Sequence, residues 1–368
     1  MTPASSASAP LRRAVTVALS ALAVSALALT GCATGSGNPG GDGGDETGDA
    51  NSVTLIVHDS FPNDDFAKAA SAATGLDVKV ISAGDGGELT NKLVLTKGAP
   101  IADAFFGVDT IFASRLVEND VVEAYTPKEL PAGAAELAID DKGSLTPVDR
   151  GATCVNVDTG WFTEHSLPEP KSYEDLAKPE YQDLSVILDP TASSTGASFL
   201  VGTVEEFGED GFADYWKSLL DNGARLEQGW SDAYNGQFTQ GGGDGKRPIV
   251  VSYSSSPAFT VSEDGTATTT KALLDTCSNQ VEYAGVLQGA ANPEGAKAVV
   301  DYLVSREFQD TVADAMYMYP VDEGASVPAE WTQFAPLPSA EQSHDLPAAE
   351  IERGREGWLR TLGEQIGL

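Results

Sequence analysis

Val53-Thr54-Leu55-Ile56-Val57-His58 is an apolar run ending in a histidine, followed over residues 64–74 by an Ala-rich amphipathic stretch that Gly75 stops. Leu76-Asp77-Val78-Lys79-Val80-Ile81 then alternates apolar and polar side chains, as a half-buried strand does. The same rhythm continues. Residues 87–97 have helical spacing with Gly98 as their stop, 102–108 read as a strand and 109–118 as a helix. Such alternation predicts an α/β fold built on a parallel sheet with helices on both faces. Ligands bind beyond the carboxyl ends of strands in that architecture, which singles out His58-Asp59-Ser60, Asp85-Gly86-Gly87 and Asp109.

Outward from this start, a second run begins after Asp149. It has strands at 152–157, 184–188 and 249–253, helices at 197–207 and 211–220, a strand-like segment at 281–287 and helices from 293. There is no internal repeat. At 368 residues two domains are expected, because single cores stop growing near ~250–300 residues. Gly241-Gly242-Gly243-Asp244-Gly245 precedes a strand, and Gly245-Lys246 is followed by Arg247, not Ser or Thr; a surface hairpin is expected there, not a phosphate loop.

Toward the N-terminus, Arg12-Arg13 precede an apolar run over 14–29 that ends in Leu29-Thr30-Gly31-Cys32. The run is shorter than the ~20 residues a membrane span needs, so residues 1–31 read as a signal peptide. Leu-Thr-Gly-Cys resembles the bacterial lipobox, which implies lipidation of Cys32. Residues 33–52, rich in Gly and Asp and without a large apolar side chain, read as a flexible tether between Cys32 and the body. With 22 Lys+Arg against 55 Asp+Glu, the net charge of −33 argues against a nucleic-acid partner.

Catalytic and metal motifs are weak. His58, His165 and His344 show no His-Glu-x-x-His spacing, and no metal site is expected. Gly229-Trp230-Ser231-Asp232-Ala233 approaches a nucleophile elbow but ends in Ala. With Cys32 lipidated, Cys154 and Cys277 are an even pair in an exported chain, which predicts a disulfide. Two turns suit a polar ligand: Ser193-Ser194-Thr195-Gly196 after Asp189-Pro190, and Tyr253-Ser254-Ser255-Ser256-Pro257 after the strand at 249–253. Each puts hydroxyls and free N–H groups at a helix N-terminus, where ordinary capping explains either motif taken alone.

Asp59-Ser60-Phe61, Asp85-Gly86, Gly107-Val108-Asp109, Asp149 with Gly151, Asp189-Pro190 with Ser193, Gly229-Trp230-Ser231 with Ala233-Tyr234, Ser252-Tyr253 with Ser256-Pro257, and Met318-Tyr319-Pro320-Val321 follow one another along most of the body. In this order and spacing the chain resembles the thiamine-binding proteins of bacterial ABC importers, within the type II periplasmic-binding-protein superfamily. The resemblance implies a two-lobed α/β fold with a ligand cleft between the lobes: residues 53–150 plus 285–368 form lobe one and 151–284 lobe two. It implies a monomeric binding protein without cofactor or catalysis, held by its lipid at the outer face of the cytoplasmic membrane and delivering thiamine or a thiamine phosphate to a permease and its ATPase.

The implied ligand contacts are Asp85, Gly86, Ser193, Ser194, Trp230 and the turn Tyr253, Ser254, Ser255, Ser256, Pro257. Trp230 and Tyr253 would face the rings, with Tyr317 either a further ring contact or a core residue. Asp59, Asp85 or Asp109 would meet the amino group or the cationic ring, although a helix N-cap explains Asp109 equally well. His58 stands where relatives carry Tyr. The cysteine pair would lie near the two lobe crossings, and a helix over 348–366 with Ile351, Trp358, Leu359 and Leu362 on one stripe would pack back on lobe one. Two alternatives remain at this point: a binder of iron, a polyamine or an oxyanion, and a thiaminase-like enzyme using a free Cys154.

Overall fold

The computed structural model describes residues 51–368; the signal peptide, Cys32 and the tether through residue 50 lie outside the described residues. The chain opens with β1 (Ser52–Val57), α1 (Asn63–Thr74), β2 (Asp77–Ser82), α2 (Gly86–Leu95), β3 (Ala104–Asp109) and α3 (Thr110–Glu118). It continues through β4 (Val122–Glu123), α4 (Ala132–Glu136), β5 (Thr146–Asp158), α5 (Thr159–His165), α6 (Tyr173–Leu176), β6 (Ser185–Leu188), α7 (Ser194–Phe207), α8 (Phe212–Asp221) and β7 (Arg225–Glu227). The remainder is β8 (Ile249–Tyr253), β9 (Thr270–Leu287), α9 (Pro293–Leu303), α10 (Arg306–Met316), β10 (Tyr319–Pro320), α11 (Trp331–Phe334) and α12 (Ala348–Ile366).

Local chemistry sets the helix ends. Gly75 closes α1 in the left-handed region at φ 74° and donates its N–H to the Ser71 carbonyl. Asp109 caps α3, its Oδ1 accepting from the N–H groups of Ile111 and Phe112 at 2.9 and 3.2 Å.

The strands form one mixed sheet in the order β2-β1-β3-β9-β5-β8-β6-β7. β1 is parallel to β2 and β3, and β6 is parallel to β7 and β8. The all-parallel expectation fails in the middle, where β9 runs antiparallel to β3 and β5, and β5 antiparallel to β8. Two parallel α/β halves are thus joined through the long strands β5 and β9. Phe105, Phe106 and Val108 on β3, and Val155 and Val157 on β5, are fully buried.

Three further expectations change. Residues 241–247 form a surface loop closed by a parallel-type bridge between Phe238 and Arg247, not a hairpin. Gly241 packs on the Tyr234 carbonyl with no room for a side chain. α12 lies on α8 as well as on α3: Arg355 donates to the Ile111 carbonyl, Trp358 Nε1 to Glu209 and Gln365 to Asp214. Its stripe of Ile351, Trp358 and Leu362 joins the core that contains Leu116, Trp216 and Leu219. Finally, β9 starts at Thr270, well before the apolar segment that reads as a strand.

Candidate functional site

A cavity of about 150 Å³ opens where the two parallel halves face each other beside β5 and β9. His58 and Ser60 reach it from the turn after β1, Asp85 and Gly86 from the start of α2, Gly107 from β3, and Ser194 from the start of α7. Trp230, Tyr234 and Asn235 line it from the segment around the π-helical turn Asp232–Gln237, and Tyr253, Ser256 and Phe259 from the end of β8 and beyond. Glu282 on β9 and Ala315, Met316, Tyr317 and Met318 complete the wall.

Aromatic rings dominate this wall. Trp230 stacks on Tyr234 with centroids 4.9 Å apart and planes at 11°, and lies 6.3 Å from Tyr253. The indole is fixed by a 2.8 Å hydrogen bond from Nε1 to Ser252 Oγ. Phe259 lies edge-on to both Tyr234 and Tyr317. Tyr317 is held at φ 55°, in the left-handed region, and stacks on Trp331 outside the cavity.

Asp85 ties the two sides together. Its Oδ1 accepts from the N–H groups of Gly86 and Ser194 at 2.6 and 3.0 Å, and its Oδ2 from Trp230 N–H at 2.9 Å. The Gly87 and Glu88 N–H groups donate across to the Ala192 carbonyl at 2.9 and 3.2 Å. A Cβ at Gly87 would come within 2.5 Å of that carbonyl oxygen, so only glycine permits the approach.

Several expected residues stand back from the cavity. Ser193 is fully buried as the N-cap of α7, its Oγ accepting from Gly196 N–H. Ser254, Ser255 and Pro257 are buried behind Tyr253 and Ser256, because the chain turns into a 3-10 helix at Ser256 that directs only Ser256 and Phe259 to the cavity. Asp109 is consumed by capping α3, and burial pushes its carboxyl up to about 7. Asp59 is off the lining, and burial, reinforced by the Asp85 charge, raises its carboxyl. The α7 N-terminus, expected to hold a polar or anionic group, is instead occupied by Asp85.

Glu282, Tyr234, Phe259, Asn235, Gly107 and Met318 are lining residues that the sequence did not assign, and Ser60, singled out by its turn, lines it too. Glu282 had a signal: it is the lone acid in the apolar run from Val281 to Leu287. Phe259 had none, since its place depends on the 3-10 turn.

Cys154 and Cys277 are joined in a disulfide that cross-links β5 and β9. Both are fully buried and neither lines the cavity, so the thiaminase-like alternative has no nucleophile. Among the described residues, one His and acid cluster has metal-ligand proximity, Glu205, Glu206 and His344, and none of its members lines the cavity.

The sequence profile of a family described as bacterial extracellular solute-binding protein matches residues 99–344. The chain belongs to this family. Members bind solutes and do not catalyse reactions on them, and the chain is a binding protein without a cofactor. It is 28% identical over 324 residues to the thiamine-binding periplasmic protein of Salmonella typhimurium, covering 84% of this chain and 93% of that one. Among solved structures, a periplasmic thiamin binding protein superposes with a TM-score of 0.73 at 22% identity, over 86% of this chain and 96% of that one. The apo ferric ion-binding protein A of Pasteurella haemolytica superposes with a TM-score of 0.65 at 19% identity, over 85% and 97%. The fold is that of the type II periplasmic binding proteins.

Proposed function

We propose that the chain binds thiamine in this cavity and delivers it to an ABC permease and its ATPase, as a monomer anchored through lipidated Cys32 on the outer face of the bacterial cytoplasmic membrane. The observation that carries the reading is the composition of the wall: aromatic rings with the carboxylates Asp85 and Glu282, and no Lys or Arg. Thiamine joins a flat aminopyrimidine to a permanently cationic thiazolium, which suits faces and edges of aromatic rings beside carboxylates. Relatives named for thiamine support this choice. Residues 53–150 plus 285–368 act as one lobe and 151–284 as the other, with both crossings inside β5 and β9.

The same wall disfavours the alternatives. An oxyanion would meet Asp85 and Glu282 without a balancing cation, and a phosphate ester would compete with Asp85 for the α7 N-terminus, so free thiamine is preferred over its esters. Ferric iron needs phenolate ligands, whereas burial raises the phenols of Tyr234 and Tyr253. Tyr319 turns away, donating its hydroxyl to the Ala335 carbonyl. A polyamine would satisfy the carboxylates but leave the ring wall unused.

Calorimetry on Trp230 variants tests the reading. Trp230→Ala removes ring area and cation–π attraction, a loss of about 2–4 kcal/mol, or roughly thirtyfold or more in thiamine affinity. Trp230→Phe keeps a face and loses less. Unchanged affinity in a folded Trp230→Ala protein would contradict the ring site.

A further inference from the structure

Below the ring wall, the strands that join the two halves carry carboxyl groups against each other. Asp149 on β5 is the register partner of Glu282 on β9. Asp149 is 0% exposed and Glu282 5% exposed, and neither carboxylate oxygen of Asp149 has a hydrogen-bond donor. Two carboxylates this close in a dry site do not both ionise, and a proton between them supplies the missing donor. Glu282 alone of the pair reaches the cavity.

The surroundings supply little positive charge. His58 Nε2 lies 3.9 Å from Glu282 Oε1 and is buried without a hydrogen bond. Asp85, Asp109 and the Tyr253 phenol add only acidic groups from α2, β3 and β8, and their mutual influence is felt at Tyr253. Gln280, two residues before Glu282 on β9, is neutral. Arg150 follows Asp149, but neighbours in a strand point to opposite faces, and its charge is felt by Tyr319 across the β10 pairing.

We propose that Asp149 and Glu282 share one proton in the unliganded protein and release it when a cationic ligand enters the cavity, so that capture is coupled to deprotonation of the pair. This rests on the reading of the cavity as a cation site. Burial first, and the Glu282 charge second, hold the Asp149 carboxyl well above the ordinary carboxylate range. The balance is simple: the cation enters, the carboxyl O–H bond of the pair breaks, and the proton leaves to water while two carboxylates remain facing one cation. Below the raised pKa of the pair, affinity for a cation therefore falls as the pH is lowered, by up to tenfold per unit; above it, affinity is flat.

Thiamine titrations in phosphate and in imidazole buffer at about pH 7 read the proton directly, because the two buffers differ in ionisation enthalpy. Wild-type protein is expected to give different apparent enthalpies that report net proton release, and Asp149→Asn equal enthalpies. Equal enthalpies in wild type would overturn the proposal. So would release that persists in Asp149→Asn and vanishes in His58→Asn, since the proton would then be the imidazole's. If thiamine gives no heat in either buffer, the thiamine reading fails separately, and carbon-13 titration of the unliganded protein decides the pair. A carboxyl titrating far above the ordinary range and lost in both Asp149→Asn and Glu282→Gln supports it; its absence overturns it.

Discussion

Asp109 joins two effects that pull against each other. Its Oδ1 caps α3 with two N–H bonds, which favours the carboxylate, yet full burial outweighs them and pushes the carboxyl up to about 7 from 3.8. The folded protein therefore holds a proton that the unfolded chain has already lost between those values. Stability from this group is fully present below about pH 4 and declines as pH rises toward 7, by a few kcal/mol at most. Asp109→Asn keeps a capping oxygen and removes the titration. Urea melts of both proteins between pH 4.5 and 8 are expected to show a flatter stability profile for the variant; parallel profiles would contradict a buried, protonated Asp109. At this scale the sequence was partly legible. Asp85, Gly86, Ser194, Trp230, Tyr253 and Ser256 lie on the cavity, but Ser193, Ser254 and Ser255 do not: Ser193 caps its own helix, and the turn into the 3-10 helix buries Ser254 and Ser255 behind Tyr253 and Ser256.

The approach of α2 to the segment before α7 controls how the two sides of the cavity meet. Gly87 N–H donates to the Ala192 carbonyl, with no room for a side chain between them. Gly87→Ala gains a little intrinsic helix preference in the first turn of α2, but its Cβ clashes with backbone, so the melting temperature should fall. Thiamine affinity should fall at least tenfold, because the Cβ holds the two segments apart and disturbs the bonds Asp85 makes to Ser194 and Trp230. Equal affinity would mean that this contact does not govern the site. The same scale shows why the sheet was misread. Local periodicity identifies β1 to α3 well, since each element there packs on its sequence neighbours. It cannot report that β9 inserts between β3 and β5, because strand order depends on partners far along the chain. The first half of β9, from Thr270 to Gln280, is polar enough to read as loop.

Across the whole molecule, β5 and β9 are both the connection between the halves and the location of the disulfide. The cross-link closes a loop over a sequence separation of 123 residues, for which removal is expected to cost about 2–5 kcal/mol. Replacing Cys154 and Cys277 together by Ala should lower the melting temperature while leaving thiamine affinity within a few-fold, since neither residue lines the cavity. Lost binding in a folded double variant would place the pair in the site after all.

The central claim is that this cavity selects a flat organic cation. Mass spectrometry of the small molecules released on denaturing protein purified from its native host tests it without presuming the ligand. The account predicts free thiamine, close to one equivalent per chain. A thiamine phosphate, a polyamine or iron in its place would contradict it, as would an empty protein whose melting temperature does not rise when thiamine is added.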